Sequence, residues 1–349
     1  MEEEHIITES GVTALYRITD RTHCGIKMLV VNMPGFVNPE LIKNVGPDCP
    51  VASYDMFGNG RSHTEREVTP DLLADQLHEM LTERFRNSDV ILVCAGWGGM
   101  IACLCIRKYG LGNVKEIALL WPLIDTTDAE RANAERVSRL PPEIADTIRE
   151  GQRTGFRGEA YALACRAFRM ERYRHLAHDW GLDRMFGSRP EFYRRMWGDD
   201  EISCTGLLKD VSVKDVLRSL TVPVLYITGD IDTHSRKDVI GYCSGVKDLE
   251  FHVMEGYRYA QELWAGCAPV LKHFFDRTVP FDEGFEEPPT EKSCRMQLYG
   301  SLHDTPGHLA ALADKMSLAE ACCEAEMYET GAGRPQSYLS AAILYCRCA

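Results

Sequence analysis

Three apolar runs, Ile26 to Val31, Val90 to Cys94 and Val222 to Thr228, stand out along the chain, each closed off by Gly, Pro or Asn. Runs of this length without polar alternation predict strands covered on both faces, as in a parallel sheet. Between them, Asp71 to Arg86 places Leu72, Leu73, Leu77, Met80 and Leu81 at helical spacing on one face, which predicts an amphipathic helix. Strand, helix and strand in alternation predict an α/β protein with a doubly wound, mostly parallel sheet.

From about Thr126 to Asp210 the pattern turns to helices rich in arginine and aromatics with no strand-like run, and strands resume at Val222. The stretch predicts an inserted helical cap. The expected organisation is a core in two parts, 1–125 and 213–279, around a cap at 126–212. Residues 280–349 read as an acidic, proline-containing linker (Pro280 to Pro289) and a C-terminal appendage, with a helix predicted over Leu309 to Met327.

Composition narrows the function classes. With 52 Asp plus Glu against 39 Lys plus Arg and no basic block, nothing tracks a phosphate backbone, so nucleic acid is not an expected partner. No apolar run reaches the roughly 18–20 residues that span a bilayer, and Met1 to Glu9 is acidic where a signal peptide is basic and then apolar. No membrane association and a cytoplasmic location are expected. Several of the 14 cysteines, among them Cys94, Cys103 and Cys105, fall inside apolar segments, the pattern of small buried hydrophobes in a reducing compartment rather than of a disulfide framework. The pair Cys346 and Cys348 stands without histidines at zinc-ligand spacing. No metal or organic cofactor is implied, and the expected partner is a small molecule. The oligomeric state is not encoded in any motif.

Two glycine-rich turns and the cap carry a resemblance. Tyr54-Asp55-Met56-Phe57-Gly58-Asn59-Gly60-Arg61-Ser62 resembles the Asp-x-x-Gly-x-Gly-x-Ser turn of the α/β-hydrolase superfamily. Cys94-Ala95-Gly96-Trp97-Gly98-Gly99-Met100, after a strand and before a helix, resembles the nucleophile elbow. Its Trp-Gly-Gly-Met tail is similar to that of proline iminopeptidases. So is the order Leu140-Pro141-Pro142-Glu143, Met196-Trp197-Gly198-Asp199-Asp200-Glu201, Thr205-Gly206-Leu207-Leu208-Lys209-Asp210, Gly229-Asp230-Ile231-Asp232 and Met254-Glu255-Gly256. The resemblance, to the peptidase S33 type, runs from about residue 10 to residue 276 and implies the α/β-hydrolase fold.

Set against that family, the reactive residues are missing. The elbow serine position holds Gly96, and the histidine position, four residues after Glu255, holds Tyr259. The acid position resembles Asp232. A phenol with a reference pKa near 10 is a poor general base at neutral pH but a competent hydrogen-bond donor. The oxyanion loop, His-Gly-Gly-Pro-Gly in the family, reads Val31-Asn32-Met33-Pro34-Gly35. Asp232 and Tyr259 are therefore the candidate catalytic pair, each equally readable as a residue packed against the other. Met33, Phe36, Trp97 and Trp197 are candidate pocket-lining residues. Glu201 matches the cap glutamate that holds a substrate amino group in the family, and a solvated cap carboxylate is the alternative. Cys94, Ser62, Ser235 and His234 read as buried or turn residues rather than as replacement nucleophile or base, and the cap arginines Arg166, Arg169, Arg172 and Arg174 as solvated.

Three readings follow. The first is a non-hydrolytic enzyme (a cyclase, isomerase, lyase or pericyclase) acting on an apolar intermediate, as in secondary metabolism. The second is a silent ligand-binding or scaffold pseudo-hydrolase. The third is a divergent hydrolase with an off-pattern nucleophile such as Cys94. The loss of two triad positions with the cap and fold signals kept favours the first.

Overall fold

The computed structural model describes residues 2–19, 26–32, 49–155, 158–172, 190–229, 233–254, 262–276 and 297–299. Its strands are β1 (Glu2–Ile7), β2 (Val12–Thr19), β3 (Ile26–Asn32), β4 (Val51–Tyr54), β5 (Asp89–Ala95), β6 (Val114–Leu120), β7 (Val224–Gly229), β8 (Leu249–Met254) and β9 (Gln297–Tyr299). They form one sheet in the order β1-β2-β4-β3-β5-β6-β7-β8-β9. The pairs β1–β2 and β2–β4 are antiparallel and every other pair is parallel. The three strands predicted from apolar runs are β3, β5 and β7, each within two residues of its predicted ends. The others escape that pattern for physical reasons: β1 alternates half-buried and exposed residues, β4 has only 4 residues, and β6 is interrupted by Lys115 and Glu116.

The first helix, α1 (Pro70–Glu79), starts where Thr69 caps it, the threonine hydroxyl accepting from Leu72 N at 3.2 Å, with a proline in the first turn. Leu72, Leu73 and Leu77 are buried as their spacing demands, and the chain continues through a π turn at Met80–Arg84. The elbow helix α2 (Trp97–Tyr109) follows β5. Leu72, Leu77, Met100, Ile101, Cys94 and Leu119 share one apolar cluster that includes residues of both helices and the sheet. A second cluster joins Met28, Val93, Ala118 and Leu225 of the strands to Val270 and Leu271 of the last described helix, Glu262–Phe275. The sheet is thus covered on both faces, which is why its central strands read as unbroken apolar runs.

Between β6 and β7 the chain leaves the core through α3 (Thr126–Val137), α4 (Pro142–Thr154), α5 (Glu159–Arg172) and α6 (Pro190–Met196) before returning through α7 (Lys214–Ser219). The excursion starts and ends at one place. Asp125 and Ser212 form an isolated antiparallel bridge, Thr126 N donates to Val211 O at 3.0 Å and Val213 N to Ile124 O at 2.9 Å. The cap has its own small core, in which Val137, Ile148, Tyr161, Phe168 and Ile202 are buried together. Beyond the second half of the core, Gln297–Tyr299 pairs in parallel with β8, so a piece of the segment expected to be linker and appendage joins the sheet edge. The predicted helix over Leu309 to Met327 lies outside the described residues.

Candidate functional site

The elbow is built by the turn between β5 and α2. Gly96 sits there at φ 55 and ψ −123, a backbone conformation that a residue with a Cβ adopts only under strain. Its N–H donates to Leu120 O at 3.1 Å, and its carbonyl accepts from Gly99 N at 3.2 Å and Leu123 N at 2.9 Å. The backbone shape of an elbow is therefore complete and wired, without an Oγ. Gly99 has a separate reason to be glycine: a Cβ there would stand 2.5 Å from Cβ of Pro122, so the elbow helix and the chain leaving β6 pass too closely for a side chain.

Cys94 stands two positions before the elbow glycine. It is completely buried in β5, and burial, then the neighbouring Cys103 and Cys105 thiols, push its own thiol well above the ordinary range. A buried thiol held protonated is not a nucleophile. Ser235 caps the helix α8 (Arg236–Cys243), accepting from Asp238 N at 3.2 Å and donating to Asp238 Oδ2 at 2.5 Å. Ser62 and Asp55 belong to a turn that consumes its own polar groups. Asp55 Oδ2 accepts from Tyr16 Oη at 2.7 Å and from Arg61 N at 2.8 Å, while Ser62 Oγ donates to Asp55 O at 2.6 Å and accepts from Ala14 N at 2.9 Å. Gly60, at φ +59, lies under the Asp55 carboxylate, and Gly58, at φ +81, is approached by Phe192 of α6, to which a Cβ would come within 2.9 Å. The turn is a seat for the cap.

Trp97 and Trp197 are brought into the same apolar cluster at the junction of cap and core, 7% and 4% exposed. The Trp97 ring stacks on Tyr193 at 5.3 Å between centroids and 24° between planes, with Phe192 tilted against it at 6.2 Å. The backbone around Trp197 is held closely: Thr205 N and Gly206 N donate to its carbonyl at 2.7 and 2.8 Å. Gly206 leaves room for this, since a Cβ would stand 2.5 Å from the Met196 carbonyl. The indole Nε1 of Trp197 is buried and has no hydrogen-bond partner among the described residues. A buried donor costs free energy unless something accepts from it.

Glu201 is 5% exposed, so the solvated-carboxylate alternative does not hold, and its carbonyl accepts from Asn133 Nδ2 at 2.9 Å. Its neighbour Asp200 serves structure, taking Tyr161 Oη at 2.6 Å and the amides of Ile202 and Ser203 at 2.9 Å each. Met33, Phe36, Asp232 and Tyr259, and with them the proposed catalytic pair, lie outside the described residues, as does Arg174.

Two features escaped the sequence reading. Trp121, at the carboxyl end of β6 beside the elbow, is buried at φ 46 with its backbone N–H donating to Ile227 O at 2.9 Å. Nothing in a Trp-Pro dipeptide announces a left-handed residue. His234, expected to be a simple loop histidine, is 2% exposed and accepts from Ile124 N at 3.0 Å. Its partner is 110 positions away, so no local spacing could reveal it. Among the described residues no group of three or more His, Cys, Asp or Glu could hold a metal ion, and no helix is long and apolar enough to cross a membrane. A polar cleft of about 460 Å³ bordered by Arg86, Asp89, Asn113 and Lys115 lies at the opposite ends of β5 and β6 from the elbow.

No protein-family model matches the chain. A proline iminopeptidase of Heyndrickxia coagulans is 25% identical over 266 residues, 73% of this chain and 91% of that protein. Among solved structures, the proline iminopeptidase of Mycobacterium smegmatis superposes with a TM-score of 0.64 at 20% identity, over 78% of this chain and 99% of that one. VinJ superposes with a TM-score of 0.67 at 20% identity, over 80% of this chain and 99% of that one.

Proposed function

We propose that this chain, an α/β-hydrolase-fold protein that is proline iminopeptidase-like in sequence, is a non-hydrolytic enzyme that binds an apolar small molecule beneath its cap and accelerates its rearrangement without a covalent intermediate. The observation that carries the reading is the elbow: Gly96 keeps the strained turn at φ 55 and ψ −123 while offering no nucleophile, and the nearest thiol, Cys94, is buried and protonated. A cyclisation or isomerisation needs neither. It needs a reactive conformer held in a dry cavity and a hydrogen bond to the charge that develops.

The residues for those two tasks are at hand in the sequence and at the cap junction. Trp97, stacked on Tyr193, supplies a rigid aromatic wall, with Met33 and Phe36 proposed to complete it. The unpartnered Trp197 indole N–H is a donor for a ligand oxygen. Asp232 and Tyr259 are proposed to act as a pair, the carboxylate orienting the phenol so that its O–H points at the ligand. Glu201, buried near the root of the cap, suits a ligand that carries an amino group.

Fluorophosphonate labelling of the purified full chain tests the reading, with hydrolysis of a proline-amide reporter assayed alongside. No label and no turnover are expected. Labelling, or release of proline at a rate above background, sinks it. Binding of the neutral apolar probe N-phenyl-1-naphthylamine, followed by fluorescence, tests the cavity, and failure to bind counts against an apolar ligand.

A further inference from the structure

A second set of polar groups lies just behind the elbow, where two consecutive residues after β6 reach in different directions. Leu123 N donates to the carbonyl of Gly96 at 2.9 Å, and Ile124 N donates to Nε2 of His234 at 3.0 Å. His234 lies two residues after Asp232, in the segment that follows β7. One dipeptide at the root of the cap therefore touches both the elbow and the segment that carries the acid position.

The bond from Ile124 fixes the state of the imidazole. An amide nitrogen can only donate, so Nε2 is the bare nitrogen and the hydrogen of the neutral ring is on Nδ1. That nitrogen stands 3.4 Å from Tyr242 Oη, and the Tyr242 hydroxyl is 2.7 Å from Asp128 Oδ2. A carboxylate can only accept, so the phenol donates to Asp128 and accepts from His234. The result is a directional chain from backbone amide to imidazole to phenol to carboxylate. Its members are buried, His234 and Tyr242 at 2% exposed and Asp128 at 8%.

Charged groups from every side hold this chain in place. Arg131 of α3 reaches Asp128 at 2.7 Å and Asp238 of α8 at 2.6 Å. Lys214 of α7 bridges Asp125 at 2.9 Å and Asp128 at 3.1 Å. Arg136 of α3 donates to the backbone carbonyls of Thr233 at 3.3 Å and His234 at 3.4 Å. Among the described residues, the carboxylates Asp125, Asp128 and Asp238 are paired with Arg131 and Lys214, which leaves the buried imidazole beside neutralised carboxylates.

We infer that His234 is a positioning residue: as the neutral Nδ1–H tautomer it fastens the chain, two residues beyond Asp232 in sequence, to the root of the cap. The inference rests on the proposed function only for what Asp232 does once placed; the fastening itself is independent of it.

Nitrogen-15 NMR of the full chain labelled in its histidines is the direct test. The expected spectrum contains a histidine with a protonated Nδ1 and a bare Nε2 that changes in Tyr242→Phe and vanishes in His234→Gln. Amide hydrogen exchange supplies the second arm. His234→Leu should raise exchange at Ile124 and at residues 233–235 by tenfold or more, while His234→Gln, whose amide oxygen can accept from Ile124 and whose NH₂ can donate to Tyr242, should return it to within a few-fold of the parent. A His234 with its proton on Nε2, or a His234→Leu chain that exchanges like the parent, overturns the inference, as does His234→Gln exchanging like His234→Leu. If His234→Leu does not fold, the tautomer and the Tyr242→Phe spectrum still decide. Binding of N-phenyl-1-naphthylamine separates the two ideas: an intact exchange result with no probe binding by the parent overturns the apolar cavity and leaves the fastening standing.

Discussion

The turn at Asp55 to Ser62 and the elbow at Gly96 both match motifs of one superfamily, and they differ in what has been kept. In the turn the key polar groups are used within the chain: the Asp55 carboxylate, the Ser62 hydroxyl and two glycines at positive φ close it and seat Phe192 of the cap. In the elbow the backbone is kept, with Gly96 at φ 55 and both its N–H and its carbonyl bonded, while the reactive side chain is gone. The contrast separates what the fold requires from what hydrolysis requires. Removing a group the fold uses leaves buried partners unpaired, whereas removing the serine hydroxyl leaves the backbone bonds of the elbow in place.

Substitutions in the two turns and at the cap root should therefore differ in kind. The largest loss is expected for Gly60→Ala, which forces a Cβ into the Asp55 carboxylate at a positive φ. Strain and overpacking together should lower stability by about 3 kcal/mol in urea unfolding. A cost below about 1 kcal/mol would show that the turn relaxes freely.

At the cap root the expected effect is on pH dependence. Burial alone would raise the pKa of Asp128, but bonds from Tyr242, Lys214 and Arg131 outweigh it and hold the carboxyl down at about 2. A pKa lowered on folding stabilises the protein above the unfolded value near 3.9, and that contribution disappears as pH falls through the folded value. The stability difference between the parent and Asp128→Asn should be level above about pH 5 and shrink by of order 2 kcal/mol between about pH 4 and 2. A difference that stays level through acid pH would remove Asp128 from the account.

Gly96→Ser should cost about 2 kcal/mol, because serine must take up the strained turn. It should also remain unlabelled by fluorophosphonate, since the sequence position of the family's histidine holds Tyr259. Labelling of that single variant would mean that a base is present after all. Ser62→Ala removes the acceptor of the Ala14 amide and should cost about 1.5 kcal/mol, with the elbow and probe binding unaffected. The smallest effect is expected at Cys94, which a thiol reagent should modify only after unfolding. Modification of Cys94 in the native chain would reopen the reading of an off-pattern nucleophile.

Much of the fold was legible because burial on both faces of a sheet leaves a direct mark on sequence. Val90 to Cys94 and Val222 to Thr228 could be read as strands for that reason, and Leu72, Leu73 and Leu77 marked the first helix by their spacing. The edge strand β1 and its neighbour β2 were not legible, since they carry Glu, His and Arg among their apolar residues. At the site, the glycine of the turn at Gly96 and the burial of Cys94, from its place in an apolar strand, could be read. The bond from Ile124 to His234 could not, because it joins groups 110 residues apart.

The amino-acid sequence by itself determined which side chains stand at the elbow and four residues after Glu255. A glycine has no Oγ in any fold, and a tyrosine is not an imidazole wherever it stands. It also determined the alternation of apolar runs and amphipathic helices from which the doubly wound sheet follows. Only the tertiary structure decided that Glu201 is buried, that the Trp197 indole has no partner among the described residues, and that the segment after β7 is tied to the cap root through His234. Burial and hydrogen bonding at those positions depend on which distant segments the chain brings together, and no local pattern of residue types records that.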